Sequence, residues 1–319
     1  MSSRLLVTGG TGWVGSALVE RLARVERRHV RALTRRAGGR FVGGVEPVVC
    51  ADLAGSADLS TLVAGCSLVV HTAARVHVMR SRAADDPTAF HRVNTLATER
   101  LARASAAAGV RRFVFVSSIK VNGEQTSPGA AFTANDVPNP QDAYAISKHD
   151  AETALCRVAA DTGMQVVIVR PPLVYGPGVR ANFAALLRAV ARGTPLPLGA
   201  VRNRRSLIAL PNLVDFIATC VAHPAAANQT FVVSDGDDLS TPELVRRVAA
   251  ALGRSPRLLP VPEALLRAGA ALVGRRAAID RLCGNLQIDN RKASDLLGWT
   301  PPVGVDEALR ATVQAMDRR

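Results

Sequence analysis

The chain has 319 residues, 48% of them hydrophobic and 4% aromatic, and a formal charge of +14. This is enough apolar material for one large or two ordinary cores, and it excludes a disordered chain. No uncharged apolar run reaches the roughly 18 residues of a membrane helix. The basic residues are interleaved with Asp and Glu, and aromatics are too few for a base-stacking platform, so neither a membrane span nor nucleic acid is expected.

MSSRLLVTGG enters an apolar run at once, without the series of basic, apolar and small residues that makes a signal peptide. Cys50, Cys66, Cys156, Cys220 and Cys283 are far apart and form no C-x-x-C pair. Reduced thiols in a cytoplasmic chain, with no metal site, are the expectation. Six β-branched runs follow one another: RLLVTG (4–9), HVRALT (29–34), VEPVVCA (45–51), SLVVHTA (67–73), RFVFVSS (112–118) and MQVVIVR (164–170). Amphipathic helical patterns lie between them, clearest at 88–108 and 143–161. This rhythm predicts an α/β fold: a doubly wound parallel sheet with helices on both faces and ligands at the carboxyl ends of its strands. After Pro171-Pro172 the rhythm breaks, and a smaller lobe is expected over 173–319 beside a nucleotide-binding domain of 1–172. The boundary is soft, because segments are expected to exchange between the two. In the later part, SDGDDLSTPELVRR predicts a helix start with Ser240 and Glu243 as a capping box.

VTGGTGWVG (7–15) joins the first strand to the first helix, with Gly9, Gly12 and Gly15 spaced three apart. Glycines there permit a sharp turn, close approach of a pyrophosphate and tight packing of helix on strand. The helix N-terminus would offer its free N–H groups to phosphates. The second strand ends in Thr34-Arg35-Arg36 where an acidic residue would select free ribose hydroxyls. Arg35 instead suits a 2′-phosphate and tilts the cofactor toward NADP; the plainer alternative is a solvated loop charge. Asp52 and Leu53, after the third strand, are placed to meet an adenine edge.

DAYAISKHDAE (142–152) holds one of two tyrosines and one of three lysines in the chain. Tyr144 and Lys148 are four apart and share a helix face. A phenol with a pKa of about 10 is a poor base alone. A nearby ammonium stabilises phenolate and brings it into acid–base range. Y-x-x-x-K is common by chance; its position after the glycine loop and after the serines of RFVFVSS gives it weight.

Together TGGTGWVG, HTAA (71–74), Asn94 in FHRVNT, FVSSIKVNG (115–123), YAISK (144–148) and RPPLVYGPG (170–178) resemble the extended short-chain dehydrogenase/reductase family, in particular its UDP-glucose 4-epimerase-like nucleotide-sugar branch. The resemblance covers nearly the whole chain. It implies that Ser118 hydrogen-bonds the reacting sugar oxygen, Tyr144 shuttles its proton, and Lys148 tunes the tyrosine and binds the nicotinamide ribose. It also implies that Gly9, Gly12, Trp13, Val14, Gly15, Ala73 and Ala74 line NAD(P), and that Asn94 orders the site. RRSLIALPNLVD (204–215) resembles the branch's pyrophosphate-binding stretch, which implies substrate contacts from Arg205, with Asn182 and Arg281 as further candidates. A homodimer is left open, with no residue marking its face.

Departures bear on the sugar: Asn122 stands where the branch often has tyrosine, and Ser206, Ala209 and Asn212 replace the usual Asp, His and Asp. Dehydratases of the family carry an Asp-Glu pair directly after the active-site hydroxyl. Ile119 and Lys120 occupy those places here and argue against a 4,6-dehydratase. Two reactions remain for the UDP-sugar. One is 4-epimerization, which suits tightly held NAD. The other is reduction of a UDP-4-keto-6-deoxy-HexNAc to UDP-N-acetylquinovosamine for bacterial surface polysaccharide, which suits the NADPH that Arg35 favours. A non-catalytic NADP-sensing regulator is a third reading, opposed by the presence of Ser118, Tyr144 and Lys148 in order.

Overall fold

A computed structural model describes residues 4–39, 41–76, 86–272, 274 and 276–317, with the side chains of 276–278 and 317 excepted. All six apolar runs form strands: β1 (Arg4–Thr8), β2 (Val30–Thr34), β3 (Val45–Val49), β4 (Cys66–His71), β5 (Arg112–Val116) and β6 (Gln165–Arg170). Two short strands, β7 (Leu173–Tyr175) and β8 (Leu207–Ala209), pair separately, and β9 (Thr230–Val232) returns to the main sheet. The main sheet runs β3-β2-β1-β4-β5-β6-β9 and every pairing in it is parallel. The predicted doubly wound α/β sheet is therefore the observed one. Its strand order reverses between β1 and β4, which opens a crevice at their carboxyl ends.

Alternation along the strands divides the core in two. Leu5, Val7, Val30, Ala32, Leu68, Val70 and Val167 face Leu18 and Leu22 of the helix Trp13–Arg24 and Phe216 and Ile217 of the helix Leu210–Ala222. On the opposite face Leu6, Leu33, Val69, Phe113, Phe115 and Ile168 pack on Leu101 of the helix Ala97–Ala107 and on Ala151, Leu155 and Val158 of the helix Ala143–Thr162. A third cluster gathers Tyr175, Phe183, Leu187, Leu207, Val245, Val248, Leu309 and Val313 beneath the short sheet. The later half of the chain thus supplies both a helix and the last strand to the first sheet.

The single amphipathic pattern at 88–108 is three segments: Pro87–Phe90, a π-helical stretch His91–Leu96, and Ala97–Ala107. A π turn inserts one residue into the helical repeat. Apolar periodicity over a long window does not resolve one inserted residue. The capping box at Ser240 and Glu243 is present, with the Ser240 hydroxyl accepting from the Glu243 amide and the Glu243 carboxylate accepting from the Ser240 amide. All five cysteines are unpaired thiols. No helix among the described residues is long and apolar enough to cross a membrane.

Asp215 fastens three segments. It accepts from Arg21 Nη2 at 2.6 Å and from Trp299 Nε1 at 2.9 Å, and the Trp299 ring meets Phe216 edge-on at 4.8 Å. Asp215→Ala leaves both donors without their acceptor and should destabilise the fold by about 1–3 kcal/mol. The expected sign is a lower midpoint in denaturant unfolding with an unchanged slope.

Candidate active site

The crevice floor begins at the glycine loop. Gly9 has φ +68°, a left-handed conformation that favours glycine. A Cβ on Gly15 would sit 2.1 Å from the Gly9 carbonyl oxygen, and one on Gly9 would sit 2.8 Å from the Ala73 nitrogen. Gly12 caps the first helix and donates its amide to the Gly9 carbonyl at 2.8 Å. The loop is thus pressed onto the ends of β1 and β4, and the N-cap of the helix, Gly12, carries no side chain. A pyrophosphate fits such a cradle, where a Cβ would obstruct it. Trp13 donates from Nε1 to the Pro177 carbonyl at 2.8 Å and ties the first helix to the loop after β7. Val14 is half-buried against the first core.

Of the residues read as cofactor contacts, Arg35 is exposed at the carboxyl end of β2. Ala73 and Ala74 follow β4, and the Ala73 amide reaches the Thr8 hydroxyl at 3.3 Å. The Asp52 carboxylate pairs with Arg92 and accepts the Ala54 amide at 2.9 Å. Leu53 packs partly into the second core while its carbonyl accepts from Arg100 at 3.0 Å. Asn94 sits in the π-helical stretch, fully buried, and grips the Arg75 backbone from both sides. Its Oδ1 accepts the Arg75 amide at 2.7 Å, and its Nδ2 donates to the Arg75 carbonyl at 3.0 Å and to Ser147 Oγ at 2.9 Å.

Ser118 follows β5, half-buried, and its Oγ accepts the Lys120 amide at 3.3 Å. Asp142 caps the helix Ala143–Thr162 by accepting the Ala145 amide at 2.7 Å, which fixes the helix start one residue before Tyr144. Burial pushes the Tyr144 phenol up to about 12; the neighbouring Ser118 hydroxyl works against that rise and Asp142 adds to it. Lys148 is only 2% exposed. One of its donors goes to the Val116 carbonyl at 2.7 Å, and its Nζ lies 4.2 Å from the centroid of the Phe115 ring. Burial pulls this ammonium down to about 7, with Glu152 acting in the other direction. An ammonium one helical turn from the phenol favours its ionised form and so works against the rise that burial imposes.

In the later part of the chain, Arg205 bridges Leu239 and Leu286 through its backbone and donates from Nη1 to the Gly284 carbonyl at 2.9 Å. Asn182 is exposed in the first turn of the helix Ala181–Ala191, and Arg281 is exposed on the helix Arg276–Cys283. The structure brings Ser118, Tyr144 and Lys148 to one strand end. It ties Arg205 to Gly284, three residues past Arg281.

Sequence reasoning missed the support beneath these groups. His71 is buried and bonded on both ring nitrogens, by Thr8 Oγ1 at 2.6 Å and by Thr98 Oγ1 at 2.9 Å. Thr98 donates its one hydroxyl proton to the Asn94 carbonyl at 2.6 Å. His71 Nε2 must therefore be the donor to Thr98, and Nδ1 accepts from Thr8. This neutral ring links β1, β4 and the π-helical stretch. Burial, reinforced by Lys148, depresses His71 to about 3. The only sequence signal was the His of HTAA.

Two outcomes are expected. Gly15→Ala forces the loop off β4, and the purified protein should carry no dinucleotide, as read by chromatography of the nucleotide released on denaturation. His71 stays neutral in the fold but binds a proton in the unfolded chain below its ordinary value of about 6.5. Stability from this group is intact above pH 6.5 and is lost as pH falls toward 3. Denaturant midpoints should fall on acidification by up to about 1.4 kcal/mol per pH unit, with a shallower slope in His71→Asn.

Comparison with known proteins agrees with this fold. Over 316 residues the chain is 44% identical to a UDP-glucose 4-epimerase of Vibrio cholerae, covering 99% of this chain and 96% of that one. The fold superposes on MoeE5 in complex with UDP-glucuronic acid and NAD with a TM-score of 0.80, at 27% identity and 99% coverage of both chains. It superposes on the Thermus thermophilus UDP-glucose 4-epimerase complex with NAD with a TM-score of 0.78, at 25% identity and 98% and 99% coverage. Residues 5–234 match the NAD dependent epimerase/dehydratase family, and with the glycine cradle and the Ser118–Tyr144–Lys148 set in place the chain belongs to that family.

Proposed function

We propose that this chain inverts C4 of a UDP-sugar, with NAD(P) held on the glycine loop between β1 and β4. The observation that carries this reading is the set of Ser118, Tyr144 and a buried Lys148 at the end of β5, in a chain so similar to a UDP-glucose 4-epimerase. Tyr144 accepts the proton of the C4 hydroxyl while Ser118 hydrogen-bonds the same oxygen. Lys148 stabilises the Tyr144 phenolate that takes up this proton. The nicotinamide, when bound, takes up and returns the C4 hydride. Arg205 and Arg281 are assigned to the substrate pyrophosphate and Asn182 to the sugar-nucleotide side, with residues 1–172 holding the dinucleotide and 173–319 the sugar nucleotide.

Dehydration at C5 and C6 would need an acid and a base next to Ser118. Ile119 instead is buried with Val232, Leu286 and Ile288. Lys120 is held by Glu124 at 2.7 Å and Asp142 at 2.6 Å. Neither residue is disposed for that chemistry. A second reading, reduction of a UDP-4-keto-6-deoxy-HexNAc, is favoured by one feature: Arg35, exposed where a 2′-phosphate would be read.

The test is incubation with UDP-glucose, UDP-GlcNAc and a UDP-4-keto-6-deoxy-HexNAc, with and without NADH or NADPH. Epimerization of either of the first two without added reductant supports the proposal. Oxidation of reduced cofactor by the keto sugar alone transfers the assignment to the reductase. Tyr144→Phe should lower turnover by about a hundredfold or more while retaining dinucleotide; undiminished turnover would overturn the role given to Tyr144.

A further inference from the structure

A buried ion pair lies behind the reacting groups. Glu152 stands one turn beyond Lys148 on the helix Ala143–Thr162 and is 4% exposed. Arg170, at the end of β6, donates to its carboxylate from Nε at 3.0 and 3.2 Å and from Nη2 at 2.5 Å. The Ser117 hydroxyl, one residue before Ser118, donates to the same carboxylate. Arg170 Nη1 donates onward to Asn122 Oδ1 at 3.0 Å, and Asn122 Nδ2 donates to the Thr133 carbonyl at 2.8 Å. A pair withdrawn this far from water loses much of its attraction to desolvation, and well-packed apolar side chains would often serve stability as well. Stability alone therefore gives a weak reason for a carboxylate at 152.

We propose that Glu152 is a positioning residue for the reaction: through Ser117 it fixes the strand end that carries Ser118, and from one turn away it keeps the charge on Lys148. The inference rests on the roles assigned to Ser118, Tyr144 and Lys148 above. Among the described residues around Lys148, Glu152 and Tyr144 share its helix, His71 from β4 is neutral, the Phe115 ring and Val116 carbonyl from β5 carry no net charge, and Arg170 from β6 pairs with Glu152. Glu152 is the carboxylate that counters the burial of Lys148. Where turnover requires the Lys148 ammonium, activity falls as pH rises through the lysine's titration. Removing the Glu152 charge moves that fall to lower pH.

The experiment measures kcat and KM across the neutral range for Ser117→Ala, Glu152→Gln and Glu152→Asp, using whichever of the three sugar nucleotides the wild type turns over. Ser117→Ala and Glu152→Gln should each lower kcat about tenfold or more, with KM little changed, because the reacting oxygen is displaced rather than the substrate released. Glu152→Gln should also shift the alkaline limb of the kcat profile to lower pH, while Glu152→Asp keeps the limb in place. Wild-type kcat in Glu152→Gln, or a kcat loss with an unmoved limb, overturns the proposal. Should Glu152→Gln not fold, Ser117→Ala decides: wild-type kcat in that variant is a refutation. Tyr144→Phe separates the two possible failures. If it stays active, the proposed function falls; if it is inactive beside an unmoved Glu152→Gln limb, this inference alone falls.

Discussion

Burial of the Lys148 ammonium is the constraint on which the rest of the site depends. An isolated charge in an apolar interior is strongly disfavoured, and it persists only where dipoles, π faces and counter-charges are arranged around it. Here the carbonyl of Val116, the face of Phe115 and the carboxylate of Glu152 surround it. Each belongs to a different backbone position: the end of β5, its penultimate residue, and the next turn of the same helix. The lysine is thus held only when strand and helix are in register. The same register brings Tyr144 against Ser118.

A second set of contacts keeps the opposite wall of the crevice in place. His71 joins Thr8 at the end of β1 to Thr98 on the neighbouring helix, and Thr98 bonds to the Asn94 carbonyl. The Asn94 side chain holds Arg75 and reaches Ser147, the residue before Lys148. Polar groups buried in this way rigidify their surroundings when every donor finds an acceptor. The glycine cradle and the tyrosine helix are therefore connected through side chains as well as through the sheet.

The sequence was most informative where a local pattern carries the physics. Strands β1 to β6 were legible because β-branched runs of strand length stand between helical patterns, and the parallel sheet follows from that alternation. The three-residue strand β9 was not, since it is too short to show a pattern and its partner β6 lies far earlier in the chain. Among candidate site residues, the shared helix face of Tyr144 and Lys148 was readable from their spacing. Asp52 was read for an adenine edge; its pairing with Arg92 depends on how the segments after β3 and β4 come together, which no local window contains. Asn122 was read as a departure bearing on the sugar; that its side chain joins Arg170 to the Thr133 carbonyl had no local signal. Which way a residue points at a strand end depends on backbone detail that composition and periodicity do not carry.

The late arrival of β9 also limits how freely such a protein can be rearranged. Five of the six residues of β6 are buried, and β9 covers its outer side with residues synthesised only after the whole of the short sheet. A fragment ending at the apparent seam would present β6 as a bare, apolar edge, a template for pairing with other copies. It would also lack the helix Leu210–Ala222 that seals one face of the sheet. Exchange of the later half between relatives cannot then be a matter of swapping a tail: any graft must bring its own closing strand and sealing helix, so change there is more readily acquired by point substitutions than by recombination.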